Sequence, residues 1–291
     1  MSAEEWEKVL WKTQSYPDNH IPARYFLASL RKNPNFRPYT YWPLVLASCA
    51  ITQHLATIYI FLAVFVRLKE CSLDPRILVW ITVACFIGGY LAWELLNCSR
   101  SDTARRNANG TKTLKSSILV FLALMALSPV LKTLTAATSS DSIWALSAFL
   151  FMLNALLADY SPAKLGGQVR ERLTSVLSMN AAISSSVVLG SRLSDGLAVF
   201  ALILFSVQAF ALFPMLRQRL QATLTIFQAL LTLLLSLLSI CLTASLSATV
   251  SCIYAATLVA VTFVAPGILV WAQKYKNEIR GPWDVAVPKV N

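Results

Sequence analysis

Ser128-Pro129-Val130-Leu131-Lys132-Thr133-Leu134-Thr135, then Asp141-Ser142-Ile143-Trp144-Ala145, then an apolar run ending Asn154-Ala155-Leu156-Leu157-Ala158-Asp159-Tyr160, is the stretch whose reading decides the fold. It reads as the end of one membrane span, a short polar loop, and a second span that stops at a carboxylate. Pro129 stands near the end of the first span, where its missing N–H costs least. Lys132 and Asp141 belong to the loop region. Asp159 and Tyr160 close the second span at the opposite face of the membrane.

The composition agrees with this reading. Of 291 residues, 56% are hydrophobic and only 13% charged, against about 25% charged in soluble domains. Eight apolar segments, at 43–66, 77–97, 116–134, 142–158, 174–190, 196–216, 223–244 and 248–271, are each about long enough to cross a ~30 Å hydrocarbon core. The expected architecture is all-α: about eight transmembrane helices behind a short amphipathic amino-terminal arm. Residues 1–42 form the cytosolic interfacial arm, 43–271 the multi-span membrane domain and 272–291 a cytosolic tail. There is no repeat of fixed period and no matching pair of interrupted spans in the two halves.

The arm opens with Ser2 and Glu5 in capping-box spacing, and Trp6, Val9 and Leu10 share one helical face, the pattern of an interfacial helix. Tyr16-Pro17-Asp18-Asn19 breaks it, and a second short helix starts at Pro22, with His20 as its cap. Tyr39, Tyr41 and Trp42 form an aromatic belt at the membrane entrance. The first 41 residues do not read as a secretory signal, so the first span is expected to serve as its own insertion signal.

With the amino terminus in the cytosol, 20 of the 25 Lys and Arg residues fall on the cytosolic side. This asymmetry places both termini inside. It also accounts for the net charge of +11 without nucleic acid. The sequons Asn97-Cys98-Ser99 and Asn109-Gly110-Thr111 lie between spans two and three, on the same side. Neither is expected to carry a glycan; a glycosidase-sensitive mass shift on the expressed protein would reverse the topology.

The six cysteines show no C-x-x-C spacing and four fall in apolar runs, so neither a disulfide framework nor a zinc site is expected. No G-x-G-x-x-G, P-loop or Asp-x-Asp occurs, and the longest stretch outside the membrane, 41 residues, is shorter than an independent nucleotide-sugar domain. No cofactor, metal or catalytic residue is assigned. Any transferase chemistry served by this protein belongs on another chain.

The residues that could carry function are few. Glu94 lies near the cytosolic end of span two beside Trp93. A carboxylate there snorkels, bonds to a neighbouring helix or marks a functional site. Asp159 could accept the hydroxyls of a lipid inositol or pair with Arg170 or Arg172; as a plain helix-end acid it would face the negative end of the dipole. Arg105 and Arg106, with Arg100, Lys112 and Lys115, form a basic loop. It is either ordinary positive-inside charge or an attractor of anionic headgroups, at about 1 kcal/mol per charge. Glu94, Arg105, Arg106 and Asp159 are therefore the lipid-binding candidates. Trp6 in the arm, and Trp283 and Asp284 in the Gly281–Asp284 turn, are the partner-docking candidates. His54, with no second ligand nearby, reads as an interhelical hydrogen bonder, and Asn154, Asn180 and Gln208 read as helix–helix glue.

The chain also resembles a known family. Trp6-Glu7-Lys8-Val9-Leu10 with Tyr16-Pro17-Asp18-Asn19, then Phe26-Leu27 with Leu30-Arg31-Lys32-Asn33 and Tyr41-Trp42, is similar to the amino-terminal signature of the PIG-C family, the C subunits of phosphatidylinositol N-acetylglucosaminyltransferase. Ser128–Thr135 and Asp141–Ala145 resemble its core, and Ser178-Met179-Asn180, Ser191-Arg192-Leu193, Phe210–Leu216 and Gly281–Asp284 continue the likeness to the end. Ser161–Thr174 departs from it in being longer and more basic. The resemblance implies a multi-pass protein of the endoplasmic reticulum membrane. It implies a non-catalytic subunit of the complex that moves N-acetylglucosamine from UDP-N-acetylglucosamine to phosphatidylinositol, the first step of glycosylphosphatidylinositol (GPI) anchor synthesis. The catalytic site would lie on a separate PIG-A-type subunit. Against this stand a membrane transporter or lipid scramblase, which would need a charged path through the helices, and a lipid-modifying enzyme using Asp159 or Glu94 as general base.

Overall fold

The computed structural model describes residues 39–97, most of 116–133, 138–160, 173–221 and 225–275, with a few positions between 9 and 20. Among the described residues every regular element is helical, and there is no strand. The helices are α1 (Tyr41–Lys69), α2 (Pro75–Asn97), α3 (Ile118–Leu127), α4 (Ser140–Leu157), α5 (Leu173–Gly190), α6 (Gly196–Val207), α7 (Phe213–Gln221), α8 (Thr225–Ala244), α9 (Ala248–Val259) and α10 (Ala265–Tyr275). A π turn, Gln208–Leu212, joins α6 to α7, and a second, Ala260–Val264, joins α9 to α10.

The pattern of α8 is that of a membrane helix turned inside out. It buries Gln228, Thr232, Ser239 and Thr243 and exposes Leu230, Leu233, Leu234 and Leu237. In water that arrangement would be costly; in lipid the leucines face their solvent and the polar groups bond inside. Six helical spans among the described residues are long and apolar enough to cross a membrane: Tyr41–Lys69, Pro75–Leu95, Ser140–Leu157, Gly196–Leu220, Thr225–Ala244 and Ala248–Gln273. Two shorter apolar helices, Ile118–Leu127 and Ser175–Gly190, stand where the third and fifth of the eight expected spans lie.

Residues 41–268 form one compact unit with α1 as its hub. α1 packs along α8 and the second π turn and also meets α4, α6 and α9; α4 packs along α5, and α2 and α5 flank α6. An aromatic core of Phe61, Phe151, Phe205 and Phe210 sits where α1, α4 and α6 meet. Because lipid supplies little hydrophobic drive between helices, the polar contacts matter more. Gln53 donates to Gln228 O at 3.1 Å and Thr232 Oγ1 at 2.8 Å, and Gln228 donates back to Leu46 O at 2.8 Å. Tyr59 stacks on Tyr254 with ring centroids 3.8 Å apart and shares a hydrogen bond with Thr257.

Both π turns stand just ahead of a proline. Pro214 and Pro266 each lie two residues past a π turn. A proline inside a helix removes one i→i−4 bond and leaves a carbonyl to be satisfied from outside. Ahead of Pro266, the Ser48 hydroxyl of α1 is shared between Val45 O at 2.8 Å and Thr262 O of the π turn at 3.2 Å. Thr52 Oγ1 shares a 2.7 Å bond with Thr262 Oγ1, and Tyr41 donates to Phe263 O at 3.3 Å. Both π turns lie in the carboxyl-terminal half of the chain, so they do not pair one half with the other. Apolar-run counting does not see a break that keeps the chain helical.

Helix ends follow local rules. Pro75 opens α2 behind Asp74, whose Oδ1 accepts from Arg76 N–H at 2.9 Å. Ser139 caps α4. α1 ends in a Schellman motif: Ser72 N–H reaches Arg67 O at 2.9 Å and Cys71 N–H reaches Leu68 O at 3.2 Å, with Cys71 at φ 56°. Cys71 is exposed and has no packing to lose. Cys71→Gly is therefore expected to stabilise the protein by about 1 kcal/mol, the relief of left-handed backbone minus glycine's entropy cost. A lower melting temperature in detergent would refute this. Arg67 in turn donates to Leu242 O and Ser245 Oγ at the carboxyl end of α8, where a cation suits the dipole.

Residues 1–40 with 269–291 form a second compact unit. Within it Tyr39 N–H donates to Gln273 Oε1 at 2.8 Å. At the expected break, His20 N–H bonds Pro17 O at 2.8 Å and the His20 ring stacks on Tyr16. Of the expected first arm helix, Val9 and Trp11 are described and neither is helical. Its remainder, and the helix expected from Pro22, lie outside the described residues.

Candidate functional site

Asn154, in the last turn of α4, is 1% exposed and links three helices. Its Nδ2 donates to Ser178 O and Ser178 Oγ, each at 2.9 Å, and Ser178 Oγ returns a bond to Asn154 O at 2.7 Å. With the amide so oriented, Oδ1 accepts from His54 Nε2 at 2.8 Å. This assigns the Nε2 proton to His54 and fixes its ring, which also packs edge-on against Tyr160 and Phe210. His54 is thus a structural hydrogen bonder, as its isolation in the sequence suggests.

Arg217 enters the same place from α7. The first π turn adds a residue to the ladder, with Phe213 N–H bonding Gln208 O across five positions. One extra residue rotates the helix beyond it by about 100°. Arg217 comes to point inward and is only 2% exposed. Its Nη1 donates to Ala50 O at 3.2 Å, its guanidinium lies 5.7 Å from the Tyr160 ring centroid, and its buried Nε has no hydrogen-bond partner. Tyr160, just past α4, donates to Ala155 O; burial pushes its hydroxyl up to about 12, with the Arg217 cation opposing, so it stays protonated at physiological pH. Gln218 Nε2 reaches Asp159 O at 3.4 Å.

Together His54, Asn154, Asp159, Ser175, Ser178, Arg217 and Gln218 form the polar lining of a cavity of about 140 Å³, with Met179, Phe210, Pro214 and Met215 among its apolar walls. A buried planar cation beside amide, hydroxyl and carboxylate groups can bind an anion that also carries hydroxyls. His54 is held in place by Asn154.

The sequence profile of the GPI2 family, described as phosphatidylinositol N-acetylglucosaminyltransferase, matches residues 6–284. The chain is 36% identical over 286 residues to the phosphatidylinositol N-acetylglucosaminyltransferase GPI2 subunit of Schizosaccharomyces pombe, covering 98% of this chain and 87% of that one. It is 34% identical to the human C subunit of phosphatidylinositol N-acetylglucosaminyltransferase, over 97% of this chain and 92% of the relative. The GPI2 subunit of Saccharomyces cerevisiae is similar at 27% identity over 74% of this chain and 73% of its own length. The chain belongs to the GPI2 family. No solved structure matches it.

Of the residues the sequence singles out in this GPI2-family chain, Asp159, Asn154 and His54 line the cavity. Glu94 is half-buried on α2 and lines none of the described cavities, although its neighbour Trp93 does. Asn180 is exposed rather than bonded between helices. Gln208 does join helices: with its amide turned to suit its neighbours it donates to Thr82 O at 2.8 Å and accepts from Phe86 N–H at 3.1 Å. Arg105, Arg106, Arg170, Arg172, Trp6, Trp283 and Asp284 lie outside the described residues. Arg217 is the residue sequence reasoning misses in this GPI2-family member. Ending span six at 216 assigns it to a loop, whereas the helix continues to Gln221. Pro214, an in-span proline, is the signal that could have found it.

Proposed function

We propose that this chain is a non-catalytic membrane subunit of the complex that transfers N-acetylglucosamine from UDP-N-acetylglucosamine to phosphatidylinositol, the first step of GPI anchor biosynthesis. The observation that carries this reading is the similarity along almost the whole chain to proteins named as subunits of that transferase. The catalytic work falls to a PIG-A-type partner at the cytosolic face of the endoplasmic reticulum. This chain holds that partner at the membrane and presents the lipid.

Several finer features belong to the proposal. α3 and α5 complete eight crossings, with residues 1–42 and 272–291 in the cytosol and 43–271 in the membrane. Glu94, Arg105, Arg106 and Asp159 face the lipid headgroup; Trp6, Trp283 and Asp284 dock partner subunits. The 20-to-5 division of basic residues supports the orientation, and the position of Asp159 beside a buried cation supports its headgroup role.

The test is sugar transfer to phosphatidylinositol by the purified complex and by this chain alone. Transfer by the complex only is the expected result. Transfer by the isolated chain would place an active site here and overturn the non-catalytic reading, and absence of transfer from both would overturn the transferase reading.

A further inference from the structure

The polar cavity neighbours an apolar groove, which in turn adjoins a second. Met215 lines both the cavity and a groove of about 370 Å³, whose other walls include Cys85, Gly89 and Trp93 of α2 and Leu216 of α7. Phe86, Gln208 and Leu212 are shared in turn with a second groove of about 540 Å³, reaching Thr82 of α2, Val120 and Phe121 of α3 and Leu204 of α6. We propose that cavity and grooves form one binding site for a phospholipid with a singly anionic, hydroxyl-bearing headgroup. The headgroup sits at Arg217 and an acyl chain runs along α2. The inference deepens the proposed function and rests on it only for the identity of the lipid in the cell.

Three observations converge on that occupant. The first is Arg217, a fully buried cation lining the cavity with its Nε unpartnered. Such a group is retained where an anion completes it. The second is the mixture around it. The carboxyl of Asp159 disfavours a bare multiply charged phosphate, while Asp159 and Gln218 can meet hydroxyls. A phosphodiester carrying a polyol satisfies both. The third is length. From Trp93 to Thr82 the grooves follow eleven residues of α2, which at ~1.5 Å per residue is ~16 Å, about half of a ~30 Å hydrocarbon core. That is one leaflet. The depth runs inward from the helix ends that carry Trp93 and Arg217, so headgroup and chain fall in the order a lipid of that leaflet presents them. Arg219, 4.9 Å from the Trp93 ring centroid, adds a second cation at the mouth.

The experiment uses the full chain, purified in detergent, stripped of lipid and exposed to mixed vesicles of phosphatidylinositol, phosphatidic acid and phosphatidylcholine. Retained lipid is then identified by mass spectrometry. Phosphatidylinositol is expected to be retained in preference to both others. Arg217→Gln should weaken its retention at least about tenfold, the loss of one charge-assisted contact. Gly89→Leu probes the other end of the site, away from the buried cation. A Cβ there meets only Leu216 Cδ2, at 3.8 Å, and the longer side chain fills the groove. It should weaken retention of the intact lipid while leaving binding of deacylated glycerophosphoinositol unchanged. Equal retention of phosphatidylcholine, competition by glycerophosphoinositol as strong as by the intact lipid, or indifference to both variants would each overturn the site. Selective lipid binding by a chain whose complex transfers no sugar would uphold this site and sink the transferase reading; transfer by the complex with no lipid held here would do the reverse.

Discussion

Arg217→Leu is expected to lower sugar transfer by the assembled complex about 10- to 150-fold while leaving this chain folded. The range is what loss of a charge-assisted hydrogen bond of about 1.5–3 kcal/mol to a bound anion gives. The fold should tolerate the change because the residue costs as much as it contributes. A guanidinium at 2% exposure, bonded to one carbonyl and lying beside one ring and the Asp159 carboxylate, has lost its water for few direct contacts. Apolar replacements of such groups are often neutral or better. Arg217→Lys keeps the charge and loses the planar fork, so it should fall between. The check is an initial rate against phosphatidylinositol concentration, beside a melting curve in detergent. Undiminished transfer by a folded Arg217→Leu complex would remove the cavity from the function.

Asn154→Leu should do the opposite and strike the fold first. The two side chains are nearly the same size, so no cavity opens. What is lost is bonding: the acceptor for His54 and the donors to Ser178. In the membrane such bonds are worth about 0.6–2 kcal/mol each, so the three should sum to about 3 kcal/mol, a large share of a typical folding free energy. The expected reading is a markedly lower melting temperature and less protein recovered. His54→Phe placed on the same background should cost much less than it does alone, because the imidazole N–H has already lost its acceptor. Additive losses would mean that the two side chains are not energetically coupled.

The sequence is legible where one residue type decides locally. Apolar runs find the long spans, and the stop of α4 short of Asp159 follows from its charge. His54 and Asn154 can each be seen as polar intruders in a span. That they meet cannot, because 100 residues separate them and either could have bonded elsewhere. Arg217 fails for a different reason. A run-length rule stops at the first charge, and the rotation that turns this charge inward comes from an added residue in the π turn ahead of Pro214. Hydropathy carries no record of such a rotation. The same blindness hides the approach of Ser48 to the carbonyl of Thr262, 214 residues later.

The partners of α1 also have dates. Ser48 bonds a carbonyl 214 residues later in the chain, Thr52 a hydroxyl 210 later, and Gln53 a carbonyl 175 later. At ~5–20 residues per second of synthesis, α1 leaves the ribosome ~10–40 s before the groups that will satisfy it exist. During that interval successive turns of the hub helix carry hydroxyl and amide groups into the bilayer ahead of the partners they will have in the finished fold. Nascent chains halted before residue 228 should therefore hold α1 at the insertion machinery or against a chaperone, and release it only once α8 has followed.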